Sequence, residues 1–123
     1  MMEREIENCI IVGAGMGLSA SLASLFRKEN MNVVLAARNV KKLDDLKREL
    51  GCHLIQCDAS DPMQVEQLFA ATDKLIGQPK VVIYNPSARV RGNITSLDPL
   101  ETKQALDITC YGAFLVAQQA AIR

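Results

Sequence analysis

Ile11-Val12-Gly13-Ala14-Gly15-Met16-Gly17-Leu18-Ser19 follows directly on an apolar run and opens directly into a helical pattern. The stretch reads as the end of a first β-strand, a tight glycine turn and the start of a helix. Such a turn leaves backbone N–H groups unpaired at a helix N-terminus, where the helix dipole favours an anion such as a pyrophosphate. The common dinucleotide fingerprint places glycines at first, third and sixth positions. Gly13 and Gly15 fit it, but Leu18 stands sixth. Read through Gly17 instead, the spacing is Gly-x-x-x-Gly-x-Ser, ending at Ser19. Gly13, Gly15, Met16, Gly17, Leu18 and Ser19 are therefore the first candidate binding residues. Gly13 permits a sharp exit from the strand, and Gly17 a close approach of backbone to a phosphate or a neighbouring strand. The alternative is a glycine-rich turn that binds nothing.

Outward from this turn, apolar runs and helical patterns alternate. Residues 8–12 read as a strand, apolar without a break from Cys9, as burial on both faces requires. Residues 17–30 predict a helix with Leu22, Leu25 and Phe26 on one face, Ala20 and Ala23 nearby as small packing residues, Arg27 and Lys28 complementing the dipole of its last turn, and Asn30 as C-terminal cap. Residues 32–37 are a second strand. Asn39 can cap a helix whose apolar face is Leu43, Leu46 and Leu50 and which Gly51 stops. Residues 53–57 are a third strand, ending at Asp58. Asp61-Pro62-x-Gln64 opens a helix burying Val65, Leu68, Phe69, Leu75 and Ile76, and Gly77 ends it. Residues 80–84 are a fourth strand, and 85–97 a loop broken by Pro86, Gly92 and Asn93. Asp98-Pro99-x-Glu101 repeats the capping signature before one unbroken helix to Arg123, with Ala105, Ile108, Gly112, Leu115 and Gln119 down one side. Strands alternating with helices imply an α/β fold with a parallel sheet and right-handed crossovers.

The chain has 123 residues and is 49% apolar, enough for one core, and 14 basic residues balance 14 acidic ones. That balance favours neither nucleic acid nor a membrane surface. No apolar run approaches membrane-spanning length, and the charged N-terminus resembles no signal or transit peptide. Four scattered cysteines, Cys9, Cys52, Cys57 and Cys110, suit a reducing cytosol, so a cytoplasmic protein is expected. Cys52, His53 and Cys57 match no zinc spacing, and no metal is expected. The last helix ends without a cap or stop signal, so residues 1–123 are expected to be a dinucleotide-binding domain truncated at its C-terminus.

Three further stretches carry candidate chemistry. At the tip of the second strand, about 20 positions beyond the glycines, an acidic residue would bond an adenosine 2′-hydroxyl. This sequence has Arg38 and Asn39 instead, followed by Lys41 and Lys42. A guanidinium pairs with phosphate in bidentate geometry and stacks on adenine, which favours NADP(H) over NAD(H). The two lysines read better as a solvated helix start. Asp58 and Ala59 follow the third strand. Asp58 is either an acceptor for a ligand amino group or a turn aspartate. After the fourth strand come Tyr84-Asn85-Pro86-Ser87. Asn85 can tie adjacent strands together and approach a ribose, while Pro86 lacks an N–H to donate.

Taken in order and spacing, the glycine turn, Arg38, Asp58, Asn85 and the capped last helix resemble the N-terminal half of a short-chain dehydrogenase/reductase. The resemblance implies a Rossmann-type doubly wound parallel sheet, here partial with about four strands. It implies cofactor contacts from Gly13 to Ser19 and from Arg38, Asn39, Asp58, Ala59, Asn85, Pro86 and Ser87. It implies a small-molecule carbonyl or alcohol substrate and a homo-oligomer, with neither nucleic acid nor membrane as partner. This sequence departs from the family's Gly-x-x-x-Gly-x-Gly at Ser19, and from its Asn-Asn-Ala-Gly at Tyr84, Pro86 and Ser87. Thr109 stands where the family's asparagine joins a proton relay, with Gly112 retained. The family's catalytic Tyr-x-x-x-Lys is absent, since Tyr84 is followed by Ala88 and Tyr111 by Leu115. The catalytic residues are thus unassigned, and this piece alone is expected to be inactive. The first reading is the cofactor-binding part of an NADP(H)-dependent oxidoreductase. The alternatives are a non-catalytic nucleotide-binding or regulatory protein of the same fold, or an interaction domain using its last helix.

Overall fold

The computed structural model describes residues 4–123. The reading of the charged N-terminus falls partly on residues 1–3, outside the described residues. Four strands, β1 (Asn8–Val12), β2 (Asn32–Ala37), β3 (His53–Gln56) and β4 (Val81–Tyr84), form one parallel sheet in the order β3-β2-β1-β4. The helices are α1 (Leu18–Lys28), α2 (Asp44–Leu50), α3 (Pro62–Leu75), α4 (Pro99–Leu106) and α5 (Gly112–Ile122). The sheet is doubly wound. Cys9 and Ile11 of β1 face the side of α1 and α2, with Ala23, Leu43 and Leu46. Ile10 and Val12 face the side of α3 and α5, with Leu68, Phe69, Leu115 and Val116. This two-sided burial is why β1 reads as an unbroken apolar run. It also separates Cys52 from Cys57, which pack in the clusters on opposite faces.

The capping signals act as the sequence predicts. Asp61 accepts from the amides of Met63 and Gln64, and Asp98 from that of Leu100. Asn30 adopts φ 60°, closing α1 in the left-handed conformation. Asn39 is the exception: the turn that follows, Lys41–Leu43, is 3₁₀ and starts from Val40 without a side-chain cap, and Asn39 makes only a local bond, accepting from Lys41 N at 3.2 Å. Arg27 does more than complement a dipole: its guanidinium donates to the carbonyls of Leu50 (2.7 Å) and Met31 (2.8 Å), tying α1 to the end of α2.

Several expectations change. Leu25 lies 51% exposed, while α1 buries Ser19 together with the expected Ala23. Small residues let the helix lie close on the sheet, which pushes the larger leucine to the rim. Leu75 is exposed too, and Thr72 takes the buried place with its hydroxyl bonded to Leu68 O at 2.8 Å. The third strand stops at Gln56, one residue early.

The last helix is not uniform. A π turn at Asp107–Tyr111 separates α4 from α5, with the Gly112 amide bonded to the Asp107 carbonyl. Together they make a 24-residue rod, Pro99–Ile122, long and apolar enough by length and composition to cross a membrane. The sequence reading missed this because Thr102, Gln104 and Asp107 interrupt every apolar run. One side of the rod, Gly112, Leu115 and Val116, is buried on the sheet as a globular core helix is. Arg123 clamps its end to α3. It pairs with Asp73 at 2.7 Å and lies over the Phe69 ring at 5.0 Å.

Candidate functional site

The chain winds outward from β1 through β2 to β3, then returns to place β4 on the other side of β1. In open α/β sheets ligands bind outside the carboxyl ends of the strands at this switch. A cleft of about 550 Å³ lies there. Its wall takes Gly13 and Gly15 from the turn after β1, Arg38 and Asn39 from the end of β2, Asp58 and Ala59 from the end of β3, and Asn85, Pro86 and Ser87 from the end of β4. Nine of the residues singled out in the sequence thus converge on one cavity, although they span positions 13–87.

The other four do not line it. Met16 and Leu18 are exposed at the outer side of the turn, and Gly17 is the N-cap of α1. Ser19 is buried beneath it, donating to Gly13 O at 3.5 Å and accepting from Asn85 Nδ2 at 3.0 Å. Lys42, read from sequence as part of a solvated face, does line the cleft, as do Cys57 and Ile108. Lys42 sits in the 3₁₀ turn, whose tighter winding could not be foreseen from a helical periodicity.

The three glycines of the turn differ in what they do. Gly13 has φ +80°, and a Cβ there would lie 2.6 Å from Pro86 Cγ. Its amide and that of Ala14 both bond the Ala36 carbonyl, so they serve the sheet. At Gly15 and Gly17 an added Cβ meets no protein atom within 4 Å. Packing therefore does not demand glycine at either position, and the space beside Gly15 belongs to the cleft. The first turn of α1 carries no side-chain cap and no acidic residue, which leaves its dipole and amides to an anion.

Electrostatics around the cleft are mixed. Asp58 Oδ1 accepts from Ser60 Oγ at 2.7 Å and Ser60 N at 3.0 Å. Those two bonds, with Arg38 adding its charge, hold the Asp58 carboxyl below the usual carboxylate range. Burial pushes the Cys57 thiol up to about 11, with Asp58 and Asp61 adding repulsion, so it lines the cleft as an inert thiol. Among the described residues, Arg38 makes no ion pair.

The π turn forms the floor. The Tyr84 hydroxyl donates to the Ile108 carbonyl. Burial raises the Tyr84 phenol's pKa, keeping it a donor. A Cβ on Gly112 would crowd that hydroxyl and lie 2.8 Å from Ala59 O. Thr109 Oγ1 accepts from Ala88 N at 3.3 Å and donates to Ala88 O at 3.2 Å. The hydroxyl thus supplies both a donor and an acceptor.

The doubly wound parallel sheet with its carboxyl-end cleft is a Rossmann-type fold. Structural likeness agrees. A short-chain type dehydrogenase/reductase from Mycobacterium marinum superposes with a TM-score of 0.89 at 23% identity, covering 94% of this chain and 49% of that one. An actinorhodin polyketide ketoreductase crystallised with NADPH gives 0.90 at 23% identity, over 98% of this chain and 48% of that one. A family model described as enoyl-(acyl carrier protein) reductase matches residues 13–122. The chain belongs to this short-chain dehydrogenase/reductase family. An uncharacterized oxidoreductase of Staphylococcus aureus strain USA300 is 26% identical over 114 residues, covering 90% of this chain and 49% of the relative. A farnesol dehydrogenase of Aedes aegypti is 26% identical over 118 residues, 90% of this chain and 48% of the relative. The chain spans about half the length of the curated relatives it matches.

Proposed function

We propose that residues 1–123 are the cofactor-binding part of an NADP(H)-dependent oxidoreductase acting on a small carbonyl or alcohol substrate in the cytoplasm. The observation that carries this is the convergence of Gly15, Arg38 and Asp58 on one cleft at the switch point of the sheet. The open space at Gly15 and the uncapped first turn of α1 suit a pyrophosphate. Arg38, with Lys42 beside it, suits a 2′-phosphate; no carboxylate stands at that strand tip to repel one. Asp58 keeps Oδ2 to accept from an adenine amino group, because Oδ1 is taken by Ser60. Asn85 and Ser87 would approach the ribose. When bound, the nicotinamide supplies or accepts a hydride. The chain itself binds, orients and shields the cofactor, and is inactive alone.

Titration with NADPH and NADH, followed by nicotinamide fluorescence, tests this. The expected result is tighter NADPH binding that Arg38→Ala abolishes. Absence of binding by the folded chain would overturn it.

A second reading has its own observation. Leu100, Leu106, Phe114 and Ile122 of the α4–α5 rod are all more than half exposed, and Tyr111 stacks on Phe114 at 6.4 Å. A rod so apolar on its outer side suits a protein–protein contact, including a homo-oligomer, with or without redox chemistry. Sedimentation as a monomer at micromolar concentration would count against it.

A further inference from the structure

A second cavity, of about 420 Å³, shares Arg38, Ala88 and Ile108 with the cleft. Its wall brings Arg38 from the end of β2 together with Arg89 and Arg91 from the loop after β4. Glu101 and Gln104 of α4 complete it. Three arginines and one glutamate thus line one cavity. All three arginines are exposed, and among the described residues none has an ion pair or a side-chain hydrogen bond. A guanidinium cannot shed its proton to relieve repulsion from its neighbours. Such a cluster is neutralised by an anion with several acceptor oxygens, and a phosphate monoester, largely dianionic at neutral pH, offers three. Arg38 belongs to both cavities, so a phosphate bound by it from the cleft lies at the border of the second.

We infer that Arg89 and Arg91 complete, with Arg38, the seat of the cofactor's 2′-phosphate and so help set the preference for a phosphorylated adenosine end. This rests on the reading of the cleft as a dinucleotide site. It adds a contribution from the β4–α4 loop, 51 and 53 residues further along the chain than the strand tip, which the notion of a single discriminating arginine omits. Glu101 opposes it, leaving the cavity with a net positive charge.

The test uses 2′,5′-ADP and 5′-AMP as probes, titrated calorimetrically into the chain, into Arg38→Ala and into the double variant Arg89→Ala/Arg91→Ala. The substituted side chains are exposed, and circular dichroism checks that each variant is folded. The double variant is expected to bind 2′,5′-ADP about tenfold more weakly while 5′-AMP changes by less than about twofold. Its 2′,5′-ADP affinity should also depend less steeply on salt. Unchanged 2′,5′-ADP binding in the double variant, with selectivity lost in Arg38→Ala, overturns the role of Arg89 and Arg91 alone. Equal binding of the two probes by the unsubstituted chain overturns the 2′-phosphate reading itself.

Discussion

Asn85 Nδ2 donates to Ser19 Oγ at 3.0 Å, joining the exit of β4 to the first turn of α1 across 66 residues of sequence. Ser19 is only 1% exposed. The serine that departs from the family's glycine is therefore built into the turn as the partner of an asparagine that follows the family. Ser19→Ala leaves the Asn85 amide short of an acceptor and should cost about 1 kcal/mol. A urea unfolding midpoint unmoved by Ser19→Ala would refute this.

Gly13 and Gly15 should separate folding from binding. Gly13→Ala places a β-carbon at φ +80° and 2.6 Å from Pro86 Cγ. The left-handed backbone alone costs about 1–2 kcal/mol for an alanine, and displacing Pro86 adds to it. Gly15→Ala meets no protein atom within 4 Å, so its melting temperature should hold while NADPH affinity falls. Similar melting temperatures for the two variants would be the contrary result.

Asp58 gives a pH signature. Its folded carboxyl is held low, first by the Ser60 bonds and then by Arg38. A lowered folded value stabilises fully above the unfolded value of about 3.9, and the benefit disappears as pH falls through the folded value. The stability difference between the chain and Ser60→Ala should thus be constant above pH 5 and shrink below pH 4, where measured. A difference that persists unchanged at pH 3 would contradict it.

Thiol reactivity should be selective. Burial pushes the Cys9 thiol up to about 12 and Cys57 up to about 11, and raises Cys52 as well. Cys110 is exposed. A chromogenic disulfide reagent at neutral pH should titrate one thiol in the folded chain and all four after denaturation. Rapid loss of two or more in native buffer would mean that the sheet opens readily.

Local chemistry was legible in the sequence. Asp61-Pro62 and Asp98-Pro99 announce their helices because a capping side chain acts within one turn. Gly51 and Asn30 announce ends because few residues tolerate φ near 60–70°. What escaped depends on partners far along the chain. Leu25 fits a helical stripe as well as Ala23 does, and only the closeness of α1 to the sheet chooses between them. The π turn is invisible to periodicity; it accompanies Gly112 pressed against Ala59 and Tyr84 bonded to Ile108. The candidate site divides in the same way. Strand tips mark Arg38 and Asp58, whereas Lys42 reaches the cleft through the 3₁₀ turn after β2, and Ile108 and the loop arginines reach the cavities through the chain that follows β4.

Asn8 receives a bond from Asn32 at 3.0 Å and gives one to Gln78 O at 3.2 Å, 24 and 70 residues away. Closing the longer loop is the costlier step, so β1 and β2 can zip together well before β4 docks. The cleft is finished by the last strand to arrive. An assembly intermediate would then hold the glycine turn and Arg38 in place yet lack the wall that Asn85 and Pro86 provide. A ligand spanning that wall would hold its own seat closed, slowing β4's departure more than it strengthens the β1–β2 half.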